Sequence, residues 1–271
     1  MSETQSDPSV APTYPDVPRV SYAQNGEDIL LDRIFEGAVG RYVDIGANHP
    51  FIDSNTCFFH LRGWRGVNLE PSPENYELFL KYRPDDMNLA VAASDHDGEL
   101  TFYEVSDVLG RNGCSTLSAE VARHHESEGC VVREHTVQVR TVAALIEEHR
   151  IAPPDLLTID VECHEDAVIR GIPLDFWRPK VIVVESVLPL SHAASHRSWE
   201  PRLIEHGYLF GTFNGVNRFY LRDDLALKLP RLRTPLSVLD RFETYEVDSL
   251  RRRVIELTET LQQIHAASRV A

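Results

Sequence analysis

A chain of 271 residues can bury a substantial core and fits one large α/β domain better than two small ones. Its formal charge of -15 disfavours nucleic acid and anionic membranes as partners, since such binders need clustered Lys and Arg. No apolar run reaches the roughly eighteen residues of a membrane span, Cys57, Cys114, Cys130 and Cys163 lack CxxC spacing, and "MSETQSDPSV" has no basic start or apolar centre of a secretion signal, so a cytoplasmic protein with reduced thiols is expected.

Residues 1–20 are Pro-rich and lack apolar periodicity, which predicts an extended or disordered arm. In "SYAQNGEDILLDRIF" a helix is expected, with Asn25 as cap, Asp28 answering it in capping-box fashion, and Ile29, Leu30, Ile34 and Phe35 facing the core. Short apolar runs then alternate with helical ones: "RYVDIG" (strand), "SNTCFFHLR" (helix), "RGVNLE" (strand), "PENYELFLKY" (helix) and "MNLAVAAS" (strand). That alternation predicts a parallel sheet with crossover helices. "GELTFYEV" reads as an antiparallel excursion, and residues 106–130 as a lid or long loop. The pattern resumes through "TVQVRT", "VAALIEEH", "DLLTID", "EDAVIRG" and "KVIVVES", and a helix at "SWEPRLIEHG" with strands "YLFGTF" and "NRFYLR" closes the sheet. The domain is expected over 21–234. Within 235–271, Val247, Leu250, Val254, Leu257, Leu261 and Ile264 form a heptad seam, read either as a helix packed on its own domain or as a homodimer contact.

Two strand ends carry candidate chemistry. In "YVDIGANHP", Asp44, Gly46 and Asn48 stand where the first strand turns toward its helix, at the crevice where open α/β sheets bind nucleotides. The GxGxxG fingerprint is missing, so a tight structural turn competes with a cofactor loop. Glu70 ends the second strand, where a carboxylate can accept both hydroxyl protons of a ribose; beside Asp44 and Gly46 it favours an adenosine-type cofactor over a surface glutamate.

The segments "SYAQNGEDILL", "VDIGANHP", "DSNTCFFHLRGWRGVNLEPSPENYELFLKYRP", "LTIDVECHEDAVIRG" and "RPKVIVVES", in this order, resemble the FkbM family of S-adenosylmethionine-dependent methyltransferases over about 21–221. The resemblance implies a class I, Rossmann-like, mostly parallel seven-stranded sheet with an antiparallel last strand. It also implies methylation of oxygen, often on sugars or sugar-bearing metabolites. It places Asp44, Gly46 and Asn48 at the methionine part of the cofactor, Glu70 at its ribose, and Ser94 and Asp95 near its adenine. Gln24, Glu27 and Asp28 then close over cofactor or acceptor, unless they are a plain helix cap. The family's Asp-x-Glu-Gly-x-Glu is matched by Asp160, Glu162 and Glu165, with Asp160 beside the transferable methyl. Cys163 replaces the usual glycine and is expected to demand an ordinary backbone conformation; His164 stands where a small residue is usual.

A protonated hydroxyl is a poor nucleophile and needs a base or a metal. Asp160 and Glu185, at neighbouring strand ends, with Glu162 as third ligand, are expected to hold Mg²⁺, and His164 to remove the proton. Glu162 could instead form a salt bridge, and His164 could cap the next helix. His192 and His196 lack a zinc-site glutamate and are candidates for acceptor contact; His124 and His125, in the lid, read first as solvent-exposed and otherwise as acceptor contacts; His49 suits a structural hydrogen bond. The expected acceptor is a small saccharide or glycosylated metabolite. A polyketide or aromatic hydroxyl, or a non-catalytic cofactor-binding protein, are the alternatives.

Overall fold

The computed structural model of the protein describes residues 19–106, 113–189 and 191–268. In chain order its elements are β1 (Arg19–Ser21), α1 (Glu27–Phe35), β2 (Arg41–Ile45), α2 (Cys57–His60), β3 (Arg65–Leu69), α3 (Pro73–Tyr82), β4 (Met87–Leu89), β5 (Ala92–Ser94) and β6 (Gly98–Ser106). There follow α4 (Ala119–Ser127), β7 (Val131–Thr141), α5 (Val142–His149), β8 (Leu156–Ile159), α6 (Glu165–Arg170), β9 (Val181–Glu185) and α7 (Glu200–Glu205). The chain ends through β10 (Tyr208–Phe213), β11 (Asn217–Arg222), α8 (Leu229–Arg233), β12 (Phe242–Thr244) and α9 (Tyr245–Ser268).

The chain divides into two compact units, residues 22–236 and residues 1–21 with 237–271. In the smaller one β1 pairs in parallel with β12. Arg19 and Val20 therefore belong to a strand and not to the expected arm; the remainder of that arm lies outside the described residues.

In the larger unit a seven-stranded sheet has the order β10-β11-β9-β8-β2-β3-β4. β4, β3, β2, β8 and β9 run parallel, and β11 enters antiparallel to both β9 and β10. This is the expected class I topology. β8 ("LLTI") and β9 ("VIVVE") are buried along their whole length, as strands covered on both faces must be. Val43, Ile45, Leu157, Ile159, Ile182 and Val184 join Leu145, Val168, Ile169, Trp177 and Leu203 in one core cluster.

Some expectations need correction. "MNLAVAAS" is two strands: β4 continues the large sheet, whereas β5 pairs with β7 in a separate three-stranded sheet ordered β5-β7-β6. The apolar run continues through the bend, so it conceals the change of partner. "TVQVRT" also belongs to that small sheet. Its alternation, with Val137 and Val139 buried between polar residues, suits a sheet covered on one face only. The antiparallel pairing of β6 with β7 agrees with the expected excursion. In "SNTCFFHLR" the helix is reduced to Cys57–His60. Of the expected lid, residues 107–112 lie outside the described residues; the rest contains α4.

Helix α1 is not capped by Asn25. Gly26 occupies the cap position at φ 73°, a left-handed conformation that glycine adopts without a Cβ clash. Asp28 does not close a capping box either: it accepts the Tyr22 and Ile29 N–H groups at 2.7 and 2.8 Å.

Candidate active site

Parallel strands deliver their carboxyl ends to one edge, and register decides which side chains meet there. Asp44 on β2 is paired across to Asn68 on β3 and Thr158 on β8. Its two oxygens accept hydroxyl protons from Thr158 and Thr56, each at 2.6 Å. Burial raises its pKa, and the two hydroxyls pull it back. Behind it the buried Arg83 donates to Thr56 Oγ1 at 2.8 Å and Ser54 Oγ at 2.9 Å, and also to the Pro50 carbonyl. Nothing in the sequence marks Arg83; its position in space is set by the end of α3.

Gly46 follows at φ 79°, and a Cβ there would collide with the Asp160 carbonyl oxygen. The loop can approach β8 this closely only with glycine. Asn48, also left-handed at φ 50°, gives its backbone N–H to Glu70 Oε2 at 2.7 Å, and its side-chain carbonyl accepts from Asn75 at 2.9 Å. Glu70 Oε1 accepts the Ser72 N–H at 2.7 Å. Burial pushes the Glu70 carboxyl up to about 8 against the pull of those two N–H groups.

These residues line a cavity of about 900 Å³, counting space open to solvent. Gln24, Asp44, Gly46, Asn48, Glu70, Asp160 and Glu162 all face it. So do residues the sequence did not single out: Asp53, Ser54 and Asn55 from the loop before α2, Asn75, Phe102, and the lid residues Ser115 and Thr116. "DSN" is a polar triplet just after the β2 loop, which is the one sequence signal that could have found them.

On the other side of the cavity the acids crowd together. Ile159 is registered opposite Val184, so Asp160 and Glu185 emerge as neighbours. One carboxylate oxygen from each of Asp160, Glu162 and Glu185 lies within 4.8 Å of the others. Burial raises all three pKa values. The charges acting on them are largely negative: Asp44, Glu27 and Asp53 on Asp160, and Glu165 on both Glu162 and Glu185. Glu185 is 7% exposed, and its Oε2 is buried with no hydrogen-bond partner. An orphaned buried oxygen and three hard oxygen donors fit a divalent cation.

The loop that carries Glu162 is pinned from both ends. Glu165 Oε1 accepts the Val161 and Cys163 N–H groups, each at 3.2 Å, and Thr116 Oγ1 donates to the Glu162 carbonyl at 2.6 Å. Glu162 and Cys163 have φ of 49° and 74°. The cysteine therefore holds the left-handed conformation that a glycine would take easily, contrary to the expectation of an ordinary backbone there. Burial, and then the neighbouring Glu165, Glu162 and Glu120 carboxylates, push its thiol up to about 12, which disfavours the thiolate.

Five expected site residues lie apart from both the cavity lining and the acidic cluster. His164 Nε2 is 3.0 Å from Ser94 Oγ, and burial lowers its pKa; its charged neighbours are Asp95, Arg170 and His96. The ring stands outside the cavity lining and the acidic cluster, so the structure does not bring the expected base to them. Ser94 is buried beneath it, and Asp95 is paired with Arg170 at 2.9 Å and with His96. Ala92 and Ala93 of β5 line the cavity beside Val91 and Phe102, whereas Ser94 and Asp95 at its end do not. Glu27 is a structural acceptor: it binds the Asn25 N–H at 2.8 Å and the Asn214 and Asn217 amides at 2.7 and 2.9 Å. Asp28, on the Tyr22 and Ile29 N–H groups, is equally structural. His49 Nδ1 accepts the Phe51 and Ile52 N–H groups, the structural bond expected of it. His125 is buried and His124 exposed on α4, and His196 stands 3.7 Å from Glu200. Neither His192 nor His196 joins a metal-ligating group among the described residues.

The family model for the methyltransferase FkbM domain matches residues 44–210. No curated protein matches the sequence. Solved structures similar to the chain include a methyltransferase FkbM from Methylobacillus flagellatus KT, at 12% identity and TM-score 0.43 over 68% of this chain. The match spans 43% of that protein, less than half its length. A precorrin-6y C5,15-methyltransferase from Geobacter metallireducens GS-15 is similar at 11% identity and TM-score 0.40, over 77% of this chain and 93% of that one. An O-methyltransferase from Bacillus cereus in complex with SAH is similar at 17% identity and TM-score 0.36, over 76% and 84%. Among the described residues no helix is long and apolar enough to cross a membrane.

Proposed function

The chain belongs to the FkbM methyltransferase family, and from that premise we propose that it is an S-adenosylmethionine-dependent O-methyltransferase that acts on a hydroxyl of a saccharide or glycosylated metabolite, aided by a divalent cation such as Mg²⁺. The observation that carries this reading is the cavity between two kinds of carboxylate: Glu70 on one side, Asp160 with Glu162 and Glu185 on the other.

When bound, the donor supplies an electrophilic methyl on a sulfonium, and the cation supplies a Lewis acid. The rest is the work of this chain. Gly46 leaves room for the methionine part against the β2 loop. Each Glu70 oxygen is fixed by one backbone N–H and keeps a lone pair for a ribose hydroxyl. Asp160, Glu162 and Glu185 would hold the cation. Asp160 accepts the proton of the acceptor hydroxyl through its second carboxylate oxygen. Thr116 and Ser115 close the cavity from the lid side. A saccharide is supported by a lining rich in amides and hydroxyls, from Gln24, Ser54, Asn55, Asn75, Ser115 and Thr116, with Phe102 the one aromatic ring among the described residues.

The test is methyl uptake from labelled donor across a panel of glycosides and phenols, with Mg²⁺ or with chelator. Transfer to glycosides that chelator suppresses is the expected result. Transfer confined to phenols would replace the acceptor class, undiminished turnover in chelator would remove the metal, and failure of the donor to bind in calorimetry would sink the whole reading.

A further inference from the structure

Helix α9 has a feature that methyl transfer does not use. Val247, Leu250, Val254, Leu257 and Leu261 recur at alternating steps of three and four residues, and each is between 47% and 62% exposed. A mean repeat of 3.5 residues keeps such a stripe facing a second helix in a left-handed supercoil. A helix folded onto a globular core drifts from that repeat at 3.6 residues per turn and hides its stripe.

We infer that this chain forms a parallel homodimer zipped through α9. The occupant of the stripe follows from its residues. With Val247 and Val254 at the first core position of each heptad and Leu250 and Leu257 at the second, the first two heptads carry the β-branched and γ-branched pairing that favours two parallel strands. The flanking charges select the same orientation. Glu246 precedes the first core position, and Arg251 follows the second, held in place by Glu243. In a parallel pair the flank of one helix meets the opposite flank of the other five residues further on, so Glu246 faces the partner's Arg251, twice by symmetry. Arg253 then faces Thr258, which is neutral. An antiparallel pair joins like flanks and, at full overlap, brings no glutamate to an arginine. Overall charge also favours this end of the chain: residues 237–271 hold five Arg against six Asp and Glu, so nearly all of the -15 lies elsewhere. Two copies meeting here avoid the repulsion of two anionic surfaces. The inference is independent of the proposed catalytic reading.

Light scattering on the full chain at tens of micromolar should give twice the 30.7 kDa mass. Leu250→Glu with Leu257→Glu should return it to one copy, with the thermal transition of the larger unit retained. Glu246→Arg, a change at an exposed position, should weaken the dimer about three- to tenfold at low salt, as two exposed pairs turned repulsive would. Val247→Cys should cross-link to itself on mild oxidation while the wild-type chain does not, because an antiparallel pair would hold those thiols roughly 25 Å apart at 1.5 Å per residue. A single-copy mass for the wild type, a dimer that survives the double substitution, an unchanged affinity in Glu246→Arg, or no cross-link in a dimeric Val247→Cys chain would each overturn the parallel zipper. A single-copy chain that sediments with phosphatidylserine vesicles would assign the stripe to a lipid surface instead.

Discussion

The two sides of the cavity treat buried carboxylates in opposite ways. Around β2 and β3, every acid has its donors: Asp44 has two threonine hydroxyls and Glu70 two backbone N–H groups. At the ends of β8 and β9, Asp160, Glu162 and Glu185 face one another, and one oxygen of Glu185 has no partner at all. A satisfied buried acid stabilises a loop whether or not a ligand arrives. An unsatisfied cluster costs folding energy until something positive binds or protons are taken up. The first side is therefore a preformed cradle, and the second is the part whose state depends on what occupies it.

The largest expected effect breaks this contrast at its centre. Asp160→Asn removes the proposed proton acceptor and one proposed cation ligand, and turnover should fall about 10³-fold or more, some 4 kcal/mol of transition-state stabilisation. Donor affinity, measured by calorimetry, should change little, because Glu70 and the Gly46 loop are untouched. Turnover within tenfold of wild type would return Asp160 to a structural role.

The next effect is on stability and its dependence on pH. Glu70 is raised to about 8 and Glu165 to about 7, both chiefly by burial. For a carboxyl raised in the folded state, the native protein keeps protons that the unfolded chain has lost, so its contribution is full below about 4.5 and is lost as pH rises through 7 to 8. The ligand-free protein should lose a few kcal/mol between pH 5 and pH 8.5, at about 1.4 kcal/mol for each tenfold difference in proton affinity between the folded and unfolded chain, read as a falling unfolding midpoint. Mg²⁺ or Mn²⁺ should oppose that loss at pH 8 and do little at pH 5, because the acids that bind it must be ionised. A midpoint that rises across this window would contradict the buried state of these groups.

A smaller change tests the satisfied side. Thr158→Val leaves one Asp44 oxygen without its hydroxyl and should cost about 1 to 3 kcal/mol in denaturant unfolding, while the shape of the residue is preserved. A neutral result would mean that water replaces the hydroxyl, and that the cradle is looser than its hydrogen bonds suggest.

How far the sequence could be read follows the same division. Strands β8 and β9 are legible because continuous burial writes a nearly unbroken apolar run, β2 and β3 because short apolar runs alternate with helical ones, and an acid in or just after such a run stands out. Asp44, Glu70, Asp160 and Glu185 were found in that way. What the sequence does not carry is which strand leaves the sheet. The run through β4 and β5 has no break at the point where it changes partner, and that concealed the true surroundings of Ser94, Asp95 and His164. The loop residues Asp53, Ser54 and Asn55 and the buried Arg83 reach the cavity only through tertiary placement, which local periodicity does not encode.

Cys163 offers the finest test, since it stands where the pinned loop meets the acidic side. Two successive left-handed residues, Glu162 and Cys163, aim the Glu162 carboxylate at Asp160, and an L-residue in that conformation costs roughly 1 to 2 kcal/mol. Cys163→Gly should relieve this strain, less the entropy that glycine loses on folding, for a net gain of about 0.5 to 1 kcal/mol seen as a higher denaturant midpoint with unchanged slope. Cys163→Val, β-branched and poorly suited to positive φ, should lose stability and cation affinity together, because the Glu162 carboxylate would swing away from the other two. If glycine left stability unchanged and valine left cation affinity unchanged, the loop would not be holding Glu162 by its backbone, and the third ligand would have to be sought elsewhere on that side of the cavity.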